Sequence, residues 1–220
     1  MALRFKEHLK NIIRTADSGN YEKNYLCLDR NERQAVFSAG FRKKINKLNL
    51  EQIIRNYPNQ QEFINLLSES ILFPKQSIYL SPGADGAIKS VFEALISKGD
   101  NVLCLEPTYQ MYEVYAKIFR ANFKGIRLND CFNIDIKALK GMVTRCSAIF
   151  IANPNQPTGS LLSKRKITEI LNLAKKNNAL VVIDEAYYPF SECTSIGLVK
   201  KYSNLVVIRS FSKAFGMAGL

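Results

Sequence analysis

Continuously apolar runs and helical stripes alternate along the chain from about residue 76 onward. The runs "AIFIA" (148–152), "LVVID" (180–184) and "LVVIR" (205–209) are typical of parallel strands covered on both faces. Between them, segments such as "SKRKITEILNLAKKNN" (163–178) place apolar residues at helical spacing. This alternation predicts an α/β fold, with a mostly parallel sheet, right-handed crossovers and helices on both faces.

The same pattern gives bounds for the individual elements. We predict strands at 76–83, 101–107, 123–128, 146–154, 179–188 and 204–212, and helices at 83–100, 108–120 and 163–178. The first 75 residues differ, because helical patterns at 4–14, 41–54 and 60–72 alternate with polar loops. We therefore divide the chain into an N-terminal arm at 1–35, with helical character, and one large domain at 36–220.

In parallel α/β sheets the ligand lies beyond the carboxyl ends of the strands. Five segments occupy such positions here: "SPGADG", "EPTY", "ANPNQPTG", "DEAYY" and "RSFSK". In the first, Gly83 and Ala84 open a helix directly after a strand pattern, and the first-turn N–H groups of a helix bind anions such as phosphate. Alternatively, Asp85 is an ordinary helix N-cap in a glycine turn.

The two following segments offer polar groups for a ligand. Two prolines and a glycine make "NPNQPTG" a rigid loop that presents the amides of Asn153, Asn155 and Gln156, although it is equally typical of a structural turn. Asp184 ends an apolar strand, so its carboxylate is partly desolvated and needs a cationic or N–H partner. Tyr187, three residues later, can reach the same pocket.

Lys213 follows the last apolar strand and lies between Phe211 and Phe215. A lysine in such surroundings should have a depressed pKa, and a neutral amine is a nucleophile toward carbonyl groups. Ser210 and Ser212 beside it offer hydroxyls to a phosphate. Taken alone, a lysine at a strand end is also typical of a surface residue whose charged end reaches water.

Composition excludes several function classes. The net charge of +12 indicates an anionic partner or simply a solvated basic surface, and because the basic residues are dispersed we expect no nucleic-acid binding. Five cysteines without a C-x-x-C pattern indicate reduced thiols and a cytoplasmic location. The single histidine, His8, argues against a His-ligated metal site and against Ser-His or Cys-His catalysis. No apolar stretch approaches the roughly 20 residues of a membrane helix.

The ordered set of strand-end segments resembles the fold-type-I pyridoxal-phosphate (PLP) enzymes of the class I/II aminotransferase family. Within that family it looks most like the histidinol-phosphate aminotransferase group. The matching segments are "IRNYPNQ", "SPGADGAI", "EPTYQMY", "NPNQPTG", "DEAYYPF" and "SFSKAFGMAGL", and they extend over about residues 25–220.

The resemblance implies a role for each matching position. Lys213 is expected to be the Schiff-base lysine, Asp184 the partner of the pyridine nitrogen, and Tyr187 a donor to the ring 3′ oxygen. The cofactor phosphate is expected to bind the backbone N–H groups of Ala84 and Asp85 and the hydroxyls of Ser210 and Ser212. Tyr109 is expected to stack on the ring, and Tyr57 to reach the phosphate from a partner subunit, which implies a homodimer. The implied reaction transfers an amino group between an amino-acid or amino-phosphate donor and a 2-oxo acid, with no metal.

Three departures from the family pattern limit what the resemblance implies. Gln156 stands where the family has asparagine on the ring oxygen, with Asn153 nearby as a second amide. "LDRNERQ" replaces the usual Asn-Glu-Asn-Pro, so a substrate contact by Asn31 is only a weak expectation. The family's C-terminal domain, with its substrate-binding arginine, has no counterpart, so the chain looks like an N-terminal part of a longer enzyme. A decarboxylase or lyase of the same fold, similar to threonine-phosphate decarboxylases, and an inactive remnant are alternatives.

Overall fold

A computed structural model describes residues 6–10, 12 and 30–219 of the 220-residue chain. Its contacts divide the chain into two compact units, one comprising Met1–Tyr25 and Gly83–Leu220 and the other Leu26–Pro82. In the predicted helix at 4–14, Glu7–Leu9 form a short 3-10 helix. The rest of that helix, apart from residues 6, 10 and 12, and the arm up to residue 29 lie outside the described residues.

The unit of residues 26–82 contains the helices α1 (Ala39–Ile45), α2 (Leu50–Arg55) and α3 (Gln60–Ile71). Each begins after a residue whose side chain accepts a hydrogen bond from a first-turn N–H, namely Ser38, Asn49 and Asn59. The helix predicted at 60–72 is confirmed. The prediction of one continuous helix at 41–54 is wrong, because α1 ends at Ile45 and the Asn49 side chain starts a second helix.

The strand predicted at 76–83 is also wrong. Lys75–Ser77 form a short 3-10 helix, and residues 78–82 are irregular. The alternating apolar residues of "SIYLS" do resemble a strand in sequence. In the structure they pair with no strand in the described ranges, and Tyr79 is exposed.

The other unit is built on five strands: β1 (Asn101–Glu106), β2 (Asn122–Arg127), β3 (Ala148–Ala152), β4 (Leu180–Asp184) and β5 (Leu205–Ile208). Their order in the sheet is β2-β1-β3-β4-β5, and each of the described pairs is parallel. The other five predicted strands are therefore confirmed, together with the parallel α/β fold.

Helices α4 (Gly83–Leu95), α5 (Met111–Ile118), α6 (Ile136–Val143) and α7 (Lys164–Lys176) cover this sheet on both faces. Successive strand residues alternate between the two cores: Val102, Cys104, Phe150 and Val182 pack with α4 and α5, whereas Leu103, Leu105, Ile149 and Ile183 pack with α6 and α7. The sequence analysis named no helix at 136–143; the Asp135 side chain caps it by accepting from the Lys137 N–H. No helix in the described ranges is long and apolar enough to cross a membrane.

Candidate active site

Three neighbouring strands end level with one another at one edge of the sheet. Ala152 of β3 pairs with Asp184 of β4, and Asp184 pairs with Ile208 of β5. The ladder extends one residue further, because the Asn153 N–H donates to the Asp184 carbonyl at 2.8 Å and the Glu185 N–H donates to the Ile208 carbonyl at 2.8 Å. The loops that carry most of the predicted site residues therefore begin side by side.

Asp184 is a buried carboxylate with 5% of its surface exposed. Its Oδ2 accepts from the Tyr112 hydroxyl at 2.9 Å, and its Oδ1 accepts from the Ala186 N–H at 3.0 Å. The pKa of Asp184 is raised from 3.8 to about 6, and burial is the largest cause of this increase. The two hydrogen bonds lower the pKa, whereas the carboxylates of Glu185 and Asp85 raise it. The expected N–H partner is confirmed, but both donors are neutral and no ion pair reaches Asp184 in the described part of the chain.

Tyr187 and Gln156 lie together, although 31 positions separate them in the sequence. The Tyr187 hydroxyl donates to Gln156 Oε1 at 2.7 Å, and both side chains are half-buried. Because the carboxamide oxygen faces the phenol, the Gln156 NH₂ group is the part of this pair that is left to donate to a ligand. The two residues expected at the same ring oxygen are therefore neighbours.

Ser210 and Ser212 lie against the first turn of α4. The Ser210 hydroxyl donates to Ser212 Oγ at 2.9 Å, and the Ser212 N–H donates to Ser210 Oγ at 3.1 Å. A Cβ placed on Gly83, whose φ is +65°, would lie 3.8 Å from Ser212 Oγ. Two hydroxyls and a helix N-terminus thus meet at one point, and this is the donor set that binds phosphate groups in proteins.

The side chain of Asp85 does not cap α4. Asp85 is the third residue of the helix, and its carboxylate accepts from the Tyr115 hydroxyl at 3.0 Å and from the Tyr109 hydroxyl at 3.5 Å. The alternative that Asp85 is a plain N-cap is therefore wrong. The backbone N–H groups of Ala84 and Asp85 belong to the first turn of α4, beside Ser212.

Lys213 lies in a compact turn after β5. The Gly216 N–H donates to the Lys213 carbonyl at 3.1 Å, and the Met217 N–H donates to the Phe211 carbonyl at 2.9 Å. The rings of Phe211 and Phe215 are 5.1 Å apart between centroids, and Lys213 itself is half-buried. This turn begins beside the end of β4, so Lys213 belongs to the same edge of the sheet as Asp184.

Asn153 and Asn155 fix the shape of the loop that carries Gln156. Asn153 is fully buried, its Oδ1 accepts from the Leu162 N–H at 2.8 Å, and its Nδ2 donates to the Leu162 carbonyl at 3.4 Å. Asn155 Nδ2 donates to the Pro107 carbonyl at 2.9 Å, and its Oδ1 accepts from the Thr108 hydroxyl at 2.9 Å. Asn155 thereby ties this loop to the segment that precedes Tyr109.

An ion pair that the sequence analysis did not identify joins two of the strand ends. Glu185 is fully buried, and its Oε2 accepts from Arg209 Nε at 3.1 Å and from the Thr194 hydroxyl at 2.8 Å. The Arg209 guanidinium lies 3.6 Å above the ring of Tyr188. Since Glu185 follows Asp184 and Arg209 precedes Ser210, the pair holds together the two segments that carry those site residues.

The remaining predicted residues, Tyr57 and Asn31, lie in the unit of residues 26–82. Tyr57 is fully exposed, and Asn31 has a left-handed backbone with φ of 54°. Their roles stay predictions. In the described ranges no group of histidine, cysteine and carboxylate side chains has the arrangement of a metal site.

The family model described as "Aminotransferase class I and II" matches residues 26–220. A histidinol-phosphate aminotransferase of Dehalococcoides mccartyi is 35% identical over 201 residues, which are 90% of this chain and 54% of that protein. One of Brachyspira hyodysenteriae is 36% identical over 202 residues, which are 90% of this chain and 55% of that protein. The chain therefore spans about half the length of these relatives.

A solved structure has the same fold. The crystal structure of histidinol-phosphate aminotransferase from Sinorhizobium meliloti, in complex with pyridoxal-5′-phosphate, matches with a TM-score of 0.77 at 20% identity. The match covers 86% of this chain and 53% of that one. At this level of identity the likeness concerns the arrangement of the sheet and its helices.

Proposed function

Because this chain belongs to the class I and II aminotransferase family, we propose that it forms the cofactor-binding part of a PLP-dependent aminotransferase. Its relatives that are named histidinol-phosphate aminotransferases support an amino-phosphate substrate of that kind, with a 2-oxo acid as the acceptor of the amino group. We place the protein in the cytoplasm, in line with the four free thiols in the described ranges.

The observation that carries this proposal is the state of Asp184. This carboxylate is buried, its donors in the described part of the chain are neutral, and its pKa is about 6, so it is costly to keep ionised. A cationic group from a ligand would offset that cost, and the protonated pyridine nitrogen of PLP is such a group. The residues present therefore fit the cofactor, with Asp184 holding the proton on that nitrogen.

The other groups at this edge would hold the remaining parts of the cofactor. The N–H groups of Ala84 and Asp85 and the hydroxyls of Ser210 and Ser212 would bind the phosphate, which the dipole of α4 also favours. Gln156 would donate to the ring oxygen through its NH₂ group, and Tyr187 would do so once its hydroxyl turns away from Gln156 Oε1. Tyr109 would contact the ring face. For Asn153 we propose a supporting role, since both polar atoms of its amide already hold the loop.

Lys213 is the residue proposed to do the chemistry. Its amine would attach the cofactor covalently and, once a substrate amine has displaced it, would move a proton between the substrate α-carbon and the cofactor C4′ atom. When bound, PLP supplies an electron sink for the pair of electrons left on the α-carbon. The Asp184 carboxylate supports that role by keeping the ring nitrogen protonated.

We propose that the working enzyme is a homodimer in which Tyr57 binds the cofactor phosphate of the partner subunit. The full exposure of Tyr57 supports this role, because an aromatic side chain in water is available for a contact with another subunit. Asn31 would contact the substrate.

The decisive experiment compares the wild-type protein, expressed from its complete coding sequence, with Lys213→Ala. After addition of PLP and borohydride reduction, peptide mass spectrometry should find the cofactor on Lys213 in the wild type. Lys213→Ala should carry no such label and should form no keto product from histidinol phosphate and 2-oxoglutarate. Lys176→Ala, which removes an exposed lysine of α7, is the matched control and should behave as wild type. A label on another lysine, or release of CO₂ without transamination, would contradict the proposal.

A further inference from the structure

Three tyrosines recur at every third position around the start of α5. Tyr112 donates to Asp184 Oδ2 at 2.9 Å, whereas Tyr115 and Tyr109 donate to the two oxygens of Asp85 at 3.0 and 3.5 Å. The rings of Tyr109 and Tyr112 meet edge to face, with centroids 5.7 Å apart. One helical segment therefore contacts both the carboxylate at the end of β4 and the one at the start of α4.

We propose that Tyr112 is a positioning residue that holds the Asp184 carboxylate in one orientation and in its charged form, and thereby sets how strongly the site binds a protonated ring nitrogen. The second half of this statement rests on the proposed function. The first half concerns only residues of this chain and can be tested without a cofactor.

Packing leaves Tyr112 little freedom. Its side chain is completely buried, the Tyr109 ring lies on one side, and the Phe150 ring lies 5.4 Å away between centroids. Burial, followed by the nearby charge of Asp184, raises the pKa of Tyr112 well above its ordinary value. The phenol therefore stays protonated and acts as a permanent donor, and a hydrogen bond to a charged oxygen is stronger than a neutral one.

The Tyr112 hydroxyl opposes the effect of the negative charges near Asp184. Glu185, on the same strand, and Asp85, on α4, are both acidic and raise the pKa of Asp184 in addition to its burial. Among the described residues, the Tyr112 hydroxyl and the Ala186 N–H lower the pKa of Asp184, and the Tyr112 hydroxyl has the larger effect. Loss of this hydroxyl should therefore raise the pKa of Asp184 from about 6 toward neutrality.

The first test measures the titration of Asp184 in the cofactor-free protein. Aspartate carbons are labelled with ¹³C, the Asp184 signal is assigned with Asp184→Asn, and its chemical shift is followed with pH. In Tyr112→Phe the midpoint should rise by about one pH unit, which is about tenfold in the dissociation constant. Tyr115→Phe is the matched control, because it removes a buried hydroxyl of α5 that donates to Asp85, and it should move the midpoint far less. An unchanged midpoint in Tyr112→Phe overturns the proposal.

The second test measures PLP affinity as a function of pH. With midpoints of about 6 and 7, Tyr112→Phe should bind PLP about fivefold more weakly than wild type near pH 6 and about twofold more weakly near pH 7. The difference should shrink further at pH 9, where Asp184 is ionised in both proteins. Equal weakening at every pH would indicate a merely structural effect and would overturn the proposal. If the wild-type protein binds no PLP, the proposed function fails, while the carboxyl titration still decides the role of Tyr112.

A third measurement uses the wild-type protein, so it tests the proposal even if Tyr112→Phe does not fold. In the wild type, the ¹³C signal of the Tyr112 ring carbon that bears the hydroxyl should shift with the same midpoint as Asp184, because the two groups share one hydrogen bond. A Tyr112 signal that ignores the ionisation of Asp184 would overturn the proposal.

Discussion

Replacing Asp184 with asparagine should stabilise the cofactor-free protein at neutral pH, even though it removes a group on which the proposed activity depends. The reason is that Asp184 is buried and that its hydrogen-bond donors among the described residues are neutral. Folding therefore transfers a charge from water into the protein without a cation beside it. A neutral side chain of the same shape avoids that cost.

The size of the effect follows from the pKa of Asp184, which rises from 3.8 to about 6 on folding. Each pH unit corresponds to about 1.4 kcal/mol, so above pH 6 the ionised carboxylate lowers the free energy of unfolding by about 3 kcal/mol. The sign is set by proton binding, because the folded state holds the proton more tightly than the unfolded state. Stability from this group is therefore highest below pH 3.8 and falls as the pH rises through 6.

Asparagine can keep both contacts of Asp184. Its carbonyl oxygen can accept from the Ala186 N–H, and its NH₂ group can donate to the Tyr112 oxygen once the phenol rotates. Because the rotated phenol loses its charged acceptor, we expect a net gain below the full value, at about 1–3 kcal/mol at pH 7.

Urea unfolding of cofactor-free wild type and Asp184→Asn, repeated from pH 5 to pH 8, measures this prediction. The difference in the free energy of unfolding should grow from pH 5 to about pH 7, as Asp184 ionises in the folded state, and should then stay constant up to pH 8. Asp135→Asn, an exposed aspartate that caps α6, is the matched control and should change stability by less than about 0.5 kcal/mol at every pH. A destabilised Asp184→Asn at pH 8, or a difference that does not depend on pH, would refute the reasoning.

Two further predictions concern the parts that surround Asp184. Arg209→Met should lower the free energy of unfolding by about 3–5 kcal/mol, because it leaves Glu185 buried without its cation. The control Lys89→Met breaks an exposed ion pair and should lower it by less than about 1 kcal/mol. Equal losses in urea unfolding of the two variants would contradict the argument. Gly83→Ala should cost about 1 kcal/mol, because the φ of Gly83 is +65°, and relief of this strain should shift the first-turn N–H groups of α4 and weaken PLP binding. Unchanged stability and affinity would argue against this account of the phosphate site.

The sheet was predictable because its strands carry a strong local signal. The runs at 148–152 and 180–184 are almost completely buried, and the residues of β5 pack into both cores, so these runs contain almost no polar residue until the strands end. The errors lie where the local signal is ambiguous. "SIYLS" has the alternation of a strand but lacks a partner strand in the described part, and the helix at 136–143 is short and contains Gly141.

For the candidate site, the sequence predicted where the residues lie better than which side chains they contact. Strand ends located Asp184, Tyr187, Ser210 and Lys213, because topology alone brings the carboxyl ends of parallel strands together. The Tyr112 hydroxyl on Asp184 joins residues 72 positions apart, and no local pattern specifies such a contact. In the sequence Tyr112 is one more large residue on the buried side of a helix, and only its spacing from Tyr109 and Tyr115 distinguishes it.

The end of β4 contains two adjacent buried carboxylates in different electrostatic states. Glu185 is neutralised within the chain by Arg209, whereas in the described ranges Asp184 receives hydrogen bonds only from a phenol and a backbone N–H. No ion pair with Asp184 is found in the described ranges of the chain, so its charge lowers stability in the cofactor-free protein, and a cationic ligand would offset that loss. This contrast between neighbouring residues is a physical reason to expect a cationic group of a ligand at Asp184, and it holds independently of the likeness to any other protein.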